Sequence, residues 1–108
     1  MDFEQLKCKK PAAGAKPLSA DDARKMAIEV PGWTVGDGRL EREFKFDGFR
    51  QAIDFVNALA DLAEEQDHHP DILISYNKVH LTTDKIGGLS RNDFILAAKI
   101  NELIAGRR

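Results

Sequence analysis

The stretch from Phe49 to Asp67 is the longest amphipathic segment of the sequence, and it limits the folds that the chain can adopt. Its apolar residues recur every three or four positions, as on one face of an α-helix, while acidic and amide side chains occupy the opposite face. The side chains expected to face the core are Phe49, Ala52, Ile53, Val56, Leu59, Ala60 and Ala63. Because Pro70 disfavours helical backbone at the residue before it, the helix is expected to end just before His68 and His69.

Two pairs of short strands flank this helix. Residues 33–35 and 40–46 are separated by a glycine-rich turn, and charged and apolar residues alternate along the second of them. Such alternation is typical of a strand with one face in water. Residues 72–76 and 79–83 form the other pair, and the alternation changes phase between them, which indicates a turn or a bulge.

A shorter helix is predicted outside each pair of strands. The first runs from Ser19 to about Glu29, and the second begins after Ser90. Each serine is followed three positions later by an aspartate, Asp22 or Asp93, which is the spacing of a capping box. The order helix, two strands, long helix, two strands, helix favours an α+β fold, with a four-stranded antiparallel sheet and the helices packed on one face.

The composition is that of one small globular domain. The chain has 108 residues and a net charge of −2, so no basic field predicts binding to nucleic acid. No apolar run approaches the roughly 20 residues of a membrane span, and the start lacks a signal pattern, so the cytoplasm is the expected location. Residues 1–18 show no period that would bury a face and are expected to be flexible, with the domain spanning residues 19–108.

The residues that commonly bind metals are too few to predict a metal site. Cys8 is the single cysteine, so cysteines supply neither an intramolecular disulfide nor a zinc ligand set. His80 lies between two apolar strand residues and is interpreted as solvent-facing. Lysines around Cys8 would lower its pKa and make it reactive, and the alternative is an inert thiol in a mobile tail.

His68 and His69 are the strongest candidates for chemistry. Histidine exchanges protons near neutral pH, and adjacent side chains at a helix end point in different directions, so one ring can act as acid or base while the other holds a ligand. Glu64 lies one turn before His68, so these two side chains are expected to face each other. The alternative is that the doublet only ends the helix. Asp93 is explained by capping alone, unless one of its carboxylate oxygens also faces a site.

A longer pattern surrounds the doublet. It comprises Glu64, His68-His69-Pro70, Tyr76, Gly88-Leu89-Ser90 and Asp93-Phe94. In this combination the chain, over roughly residues 19–105, resembles the pterin-4a-carbinolamine dehydratase family. The resemblance implies an antiparallel four-stranded sheet with helices on one side, assembled as a homodimer or homotetramer. It also implies dehydration of a 4a-hydroxy-tetrahydropterin to the quinonoid dihydropterin, with neither a metal nor an organic cofactor.

The resemblance also suggests roles for individual residues. His68 would be a general acid or base, and His69 would bind and orient the pterin. The remaining residues that would contact or support the substrate are Glu64, Pro70 and Asp93. Family members usually carry a third histidine shortly before the Gly-Leu-Ser segment, and Asp84 stands in that place here. Asp84 is therefore the third candidate catalytic residue, as a base rather than as a proton donor.

Two functions stay open at this point. The first is an active dehydratase that takes part in pterin recycling. The second is a dehydratase-like protein without activity that binds or assembles other proteins. The resemblance supports the second because relatives serve as a dimerisation cofactor of a transcription factor and as a Rubisco assembly factor in carboxysome-bearing bacteria. The aspartate at position 84 motivates it further.

Overall fold

The computed structural model describes residues 3–10, 14–84 and 88–106, in which three helices and four strands follow one another in the predicted order. They are α1 (Ala20–Ala27), β1 (Thr34–Gly36), β2 (Arg39–Lys45), α2 (Phe49–Gln66), β3 (Asp71–Ser75), β4 (Lys78–Thr83) and α3 (Arg91–Ala105). The strands form an antiparallel sheet in the order β1-β2-β4-β3, so the predicted α+β fold is confirmed. No helix within these ranges has the length and apolar character needed to cross a membrane.

The core lies between one face of the sheet and the helices. Alternate residues of the two central strands are buried, Leu40 and Phe44 on β2 and Val79 and Leu81 on β4. The helical residues that complete this core include Ala52, Phe55, Leu59, Phe94, Leu96, Ala97 and Ile100. Each buried leucine or phenylalanine contributes about 1.5–3 kcal/mol, so this face determines which side chains of β4 point toward the helices.

The inward face of α2 differs from the one predicted. Phe55 is fully buried, and its ring centroid lies 5.0 Å from that of Phe44 and 5.2 Å from that of Phe46. Phe49 and Ala60, which were expected inside, are exposed. The apolar arc of the helix is wide enough for two overlapping stripes, and the stripe that contains Phe55 meets the aromatic residues of β2. The prediction is therefore wrong for Phe49 and Ala60, and it is confirmed for Ala52, Leu59 and Ala63, which are buried.

The N-terminal residues pack against α3. A 3₁₀ turn at Phe3–Gln5 places Phe3 in the core, where it is 1% exposed and lies 6.2 Å from the ring of Phe94. The sequence carries no signal for this contact, because a lone phenylalanine has no period. Of the segment predicted to be flexible, residues 3–10 and 14–18 are described, and its flexibility stays a prediction.

Strand β3 forms one edge of the sheet and is followed by a two-residue turn at Tyr76 and Asn77. Tyr76 has a positive φ of 53°, and the backbone N–H of Phe46 donates to the carbonyl of Asn77 at 2.8 Å. The predicted turn is therefore confirmed. All five residues of β3 are exposed, and the apolar ones are Ile72, Leu73 and Ile74.

Candidate active site

The end of α2 sends the two histidines in different directions. The helix ends at Gln66, and Asp67 follows in the left-handed conformation, with φ 50° and ψ 42°. Aspartate tolerates this conformation better than most residues with a side chain. The backbone N–H of His68 then donates to the carbonyl of Ala63 at 3.1 Å, a bond typical of a Schellman helix end. The helix therefore ends before the doublet, as predicted, and the reversal turns His68 inward while His69 stays at the surface.

His68 belongs to a buried hydrogen-bonded cluster with Thr83 and Asp93. Its side chain is 6% exposed, and its Nε2 lies 2.8 Å from Oδ1 of Asp93 and 3.1 Å from Oγ1 of Thr83. The Thr83 hydroxyl donates to the same carboxylate oxygen. Because an ionised carboxylate only accepts hydrogen bonds, Nε2 of His68 carries a proton, and Nδ1 is the nitrogen left to accept one.

Asp93 connects this cluster to the start of α3. Its Oδ2 accepts a hydrogen bond from the backbone N–H of Ser90 at 2.8 Å, as in the predicted capping box. Its Oδ1 faces His68 and Thr83. The carboxylate is fully buried, and a buried charge is tolerated only when its oxygens are hydrogen-bonded. One side chain therefore caps a helix and orients a histidine.

His69 pairs with Glu64 at the surface. Their side chains are 50% and 75% exposed, and Nε2 of His69 shares a hydrogen bond with Oε2 of Glu64. The expectation that Glu64 faces His68 is wrong, because the left-handed Asp67 turns His68 away from the helix and brings His69 back over its last turn. Pro70 follows as a buried residue whose fixed φ restricts the chain where it enters β3.

Asp84 pairs with an arginine of β2. Its carboxylate is 3.5 Å from Nε of Arg39. In the sheet Thr83 is opposite Leu40, and both are buried on the core side. Because side chains alternate along a strand, the neighbouring Asp84 and Arg39 lie on the outer side. The structure brings the other predicted polar residues of the site to one corner, whereas Asp84 contacts Arg39, and its catalytic role stays a prediction.

Thr83 is the residue of the cluster that the sequence analysis missed. Val79 and Leu81 point into the core, and Thr83 is the next residue of β4 in the same register. A hydroxyl at an inward position was the available signal, because a buried polar group needs a hydrogen-bond partner. The two partners here are His68 and Asp93.

His80 lies on the outer face of the sheet, as expected. Its Nε2 is 3.4 Å from Oε2 of Glu41 on the neighbouring strand β2, and its side chain is 36% exposed. Among the described residues, no group of three or more histidine, cysteine, aspartate and glutamate side chains is placed to hold a metal ion.

Cys8 packs near the buried cluster rather than in solvent. Its backbone N–H donates to Oε1 of Gln66 at 2.9 Å. Burial raises the pKa of the Cys8 thiol from 9.0 to about 11, although Lys99 has a smaller opposing effect. The idea that neighbouring lysines lower this pKa is therefore wrong, and the thiol is protonated near neutral pH.

The sequence matches proteins of one family over most of its length. A family model described as pterin 4 alpha carbinolamine dehydratase matches residues 16–103. A protein of Cupriavidus pinatubonensis, provisionally named pterin-4-alpha-carbinolamine dehydratase 1, is 46% identical over 108 residues, which cover 96% of this chain and 93% of that protein. A protein of Rubrobacter xylanophilus, provisionally given the same activity in its name, is 41% identical over 105 residues, covering 94% and 98%.

Two solved structures are also similar to this fold. The crystal structure of a transcriptional coactivator/pterin dehydratase from Brucella melitensis has a TM-score of 0.76 and 29% identity, and the match covers 82% of this chain and 98% of that one. A pterin dehydratase-like protein identified as a RuBisCO assembly factor in the alpha-carboxysome has a TM-score of 0.59 and 31% identity, with 67% and 88% covered.

Proposed function

The chain belongs to the pterin 4 alpha carbinolamine dehydratase family, and from that premise we propose that it dehydrates a 4a-hydroxy-tetrahydropterin to the quinonoid dihydropterin. The bond between C4a and its hydroxyl oxygen breaks, and the oxygen takes up a proton and leaves as water. A ring nitrogen loses a proton to a base. The observation that carries the proposal is one corner at which adjacent histidines each meet a carboxylate, His68 with Asp93 and His69 with Glu64.

The two histidines would divide the proton transfers. Half of the His69 side chain is exposed, so its ring can reach a bound pterin and donate a proton to the leaving oxygen, and Glu64 orients it. Nε2 of His68 is occupied by Asp93 and Thr83, so its Nδ1 would accept the proton of the ring nitrogen. This division gives both histidines an acid–base role, whereas the family resemblance gave that role to His68 and pterin binding to His69.

The test is the dehydration rate of chemically generated 4a-hydroxy-tetrahydropterin. The wild-type protein is expected to exceed the spontaneous rate, and His68→Ala and His69→Ala are each expected to lower the catalysed rate by about 10²–10⁴-fold, the usual contribution of an acid–base group. His80→Ala is the matched control, because this histidine also pairs with a glutamate but lies on the outer face of the sheet. A wild-type rate equal to the spontaneous rate would contradict the proposal.

Asp84 is proposed as a third acid–base group on its position in the family pattern alone. Asp84→His tests that position, because histidine can both donate and accept a proton near neutral pH. We expect faster dehydration from this variant. An unchanged or slower rate would remove Asp84 from the site and leave the corner of the two histidines to act alone.

We also propose that the chain forms homo-oligomers through β3. This strand is the edge of the sheet, and the side chains of Ile72, Leu73 and Ile74 are exposed there. An exposed apolar edge is a ready template for pairing with another strand. Pairing of two β3 strands would join two sheets into one homodimer, and two such dimers could then associate as a homotetramer.

Sedimentation velocity tests the role of this edge. Leu73→Lys places a charge on β3 and is expected to lower the mass of the wild-type species to that of a monomer. Ile28→Lys is the matched control, since Ile28 is 81% exposed but lies outside the sheet, and its mass is expected to equal that of the wild type. A wild-type monomer at high protein concentration would overturn this proposal.

The second candidate function is assembly of another protein, which the similarity to the RuBisCO assembly factor supports. The two functions make opposite demands on the molecule. Assembly would use the surface and not the acid–base groups, so His69→Ala should leave it intact while abolishing dehydration. Co-expression with an alpha-carboxysomal Rubisco, with the yield of assembled enzyme as the readout, separates them. Equal yields with and without this chain would exclude the assembly function.

A further inference from the structure

A groove beside the first turn of α3 gathers much of the positive charge of the chain. It has a volume of about 380 Å³, and the described residues that line it include no acid. The cationic residues along it are Lys7, Lys9, Lys10, Lys16 and Arg91. They are five of the 16 lysines and arginines in a chain whose net charge is −2. The charge of this groove is therefore opposite in sign to that of the whole molecule.

Hydrogen bonds hold both walls of the groove in place. On one side the backbone N–H of Lys9 donates to Oδ1 of Asn92 at 2.9 Å, and Nδ2 of Asn92 donates to the carbonyl of Lys9 at 2.5 Å. On the other side the backbone N–H of Leu18 donates to the carbonyl of Leu89 at 2.8 Å. Two separate segments of the chain are thus fixed against the start of α3, and the groove is a defined feature of the fold.

The charges of the four lysines along the groove are not neutralised by the described residues. In the part of the chain that the structure describes, no acidic side chain lies within ion-pair distance of Lys7, Lys9, Lys10 or Lys16. Like charges held close together repel one another and destabilise the folded state. An anion bound between them would remove that repulsion, so the groove is electrostatically suited to a negatively charged ligand.

The floor of the groove is apolar. Leu6 and Leu18, which are half-buried, and Ile95, which is buried, line it, whereas the four lysines are exposed. A volume of this size lies within the range of about 300–1,000 Å³ that is typical of sites for small molecules. A ligand that binds both the lysines and the apolar floor needs two parts. Phosphate oxygens would pair with the lysines, and a ring or a short aliphatic part would pack on the floor. An acidic peptide would match the charges but would leave the apolar floor without a specific partner.

We propose that this groove binds a phosphorylated small molecule with an apolar ring or chain. The groove and the candidate active site are neighbours at the start of α3, and Ser90, which lines the groove, donates a hydrogen bond to Asp93. Asn92 is hydrogen-bonded to Lys9 in the wall of the groove, while the next residue, Asp93, is hydrogen-bonded to His68 in the buried cluster. Neither histidine is among the residues that line the groove, and the proposal does not depend on the dehydratase activity.

Isothermal titration of the full chain with ATP, adenosine and inorganic pyrophosphate tests the proposal. ATP is expected to bind at least about tenfold more tightly than adenosine, and its affinity should fall as salt screens the lysines. Pyrophosphate is expected to bind more weakly than ATP because it has no part for the apolar floor. ATP no tighter than adenosine would show that the lysines bind no phosphate, and pyrophosphate as tight as ATP would show that the floor binds nothing.

Two triple variants with the same change in charge locate the site. Replacing Lys7, Lys9 and Lys16 by glutamine is expected to weaken ATP binding by about tenfold, the sum of three exposed ion pairs. Replacing Lys25, Lys45 and Lys78 by glutamine should leave the Kd within about twofold, because these residues lie outside the groove.

Three further outcomes would overturn the proposal. They are equal weakening of ATP binding in both triple variants, no binding of ATP to the wild-type chain, and tighter binding of a polyglutamate peptide than of ATP. The last result would assign the groove to an acidic protein partner. The thermal unfolding midpoints of both variants are measured alongside, so that a loss of folded protein is not mistaken for a loss of binding.

Discussion

His68 and His69 are neighbours in the chain but lie in two different environments. His68 is 6% exposed and shares Asp93 with a residue of β4 and with the start of α3, so its cluster joins three separate parts of the fold. His69 is half exposed and meets Glu64, which belongs to the same helix end. The buried cluster is coupled to folding, whereas the exposed pair is coupled to solvent and to whatever binds there. One left-handed residue before the doublet is sufficient to separate the two.

The largest expected effect comes from breaking the buried side of this comparison. Asp93→Asn should lower the free energy of unfolding by about 3–5 kcal/mol, because the amide cannot accept all the hydrogen bonds that the carboxylate accepts. Urea unfolding measures the loss, and His69→Ala serves as the control on the exposed side. A loss of the same size in both variants would mean that the buried and the exposed histidine–carboxylate pair contribute equally to stability.

The next largest effect is expected from Thr83→Val. The isosteric change removes the hydroxyl that donates a hydrogen bond to Asp93. It is expected to lower the free energy of unfolding by about 1–3 kcal/mol. Because Thr83 also lies beside Nε2 of His68, kcat of dehydration should fall with little change in KM, and Thr83→Ser should restore both stability and kcat. If the serine and valine variants behaved alike, the hydroxyl would not be the group that positions His68.

Glu64→Gln probes the exposed side of the comparison. An exposed pair of this kind contributes little to stability, so the free energy of unfolding should change by less than about 0.5 kcal/mol. The dehydration rate should still fall, by about tenfold, because the carboxylate that orients the His69 proton donor is gone. Both quantities are measured on one preparation. A large loss of stability would contradict the prediction, because it would mean that Glu64 contributes to folding and not only to the reaction.

The smallest expected effect concerns Cys8, whose pKa burial raises from 9.0 to about 11. Between these values the unfolded chain releases a proton that the folded chain keeps. The free energy of unfolding should therefore fall as the pH rises above about 9. Cys8→Ser should remove this contribution to the pH dependence of the free energy of unfolding. Urea unfolding of both proteins at several pH values between about 8 and about 11 measures the difference. Parallel curves would show that the thiol does not titrate as its burial requires.

The fold could be predicted from the sequence because its signals are local. The end of α2 before Pro70 and the capping box of Ser90 and Asp93 both follow from residues a few positions apart. The stripe of α2 that faces the sheet was predicted only in part, since periodicity gives the width of an apolar arc but not the part of it that meets β2. The burial of Phe3 was missed for a related reason, because its partner Phe94 is far away in the chain.

The candidate site was predictable in its members but not in its pairing. The sequence indicated Glu64, His68 and Asp93, yet it paired the first two, whereas the structure pairs His68 with Asp93. The direction of each ring depends on the backbone conformation of Asp67, which no spacing rule gives. Thr83 was missed in favour of its neighbour because the family pattern drew attention to position 84, while strand alternation places residue 83 on the core side.

The double duty of Asp93 has a consequence for how such a protein changes over generations. One of its oxygens caps the start of α3 and the other is hydrogen-bonded to His68. A substitution of Asp93 therefore impairs folding even where catalysis is no longer under selection. Glu64 and His69 form an exposed pair that folding does not require. Substitutions at these two positions are therefore tolerated as soon as the reaction is dispensable. A lineage that gave up dehydration should therefore lose the exposed pair first and keep the buried one, as a remnant of a site whose chemistry has gone.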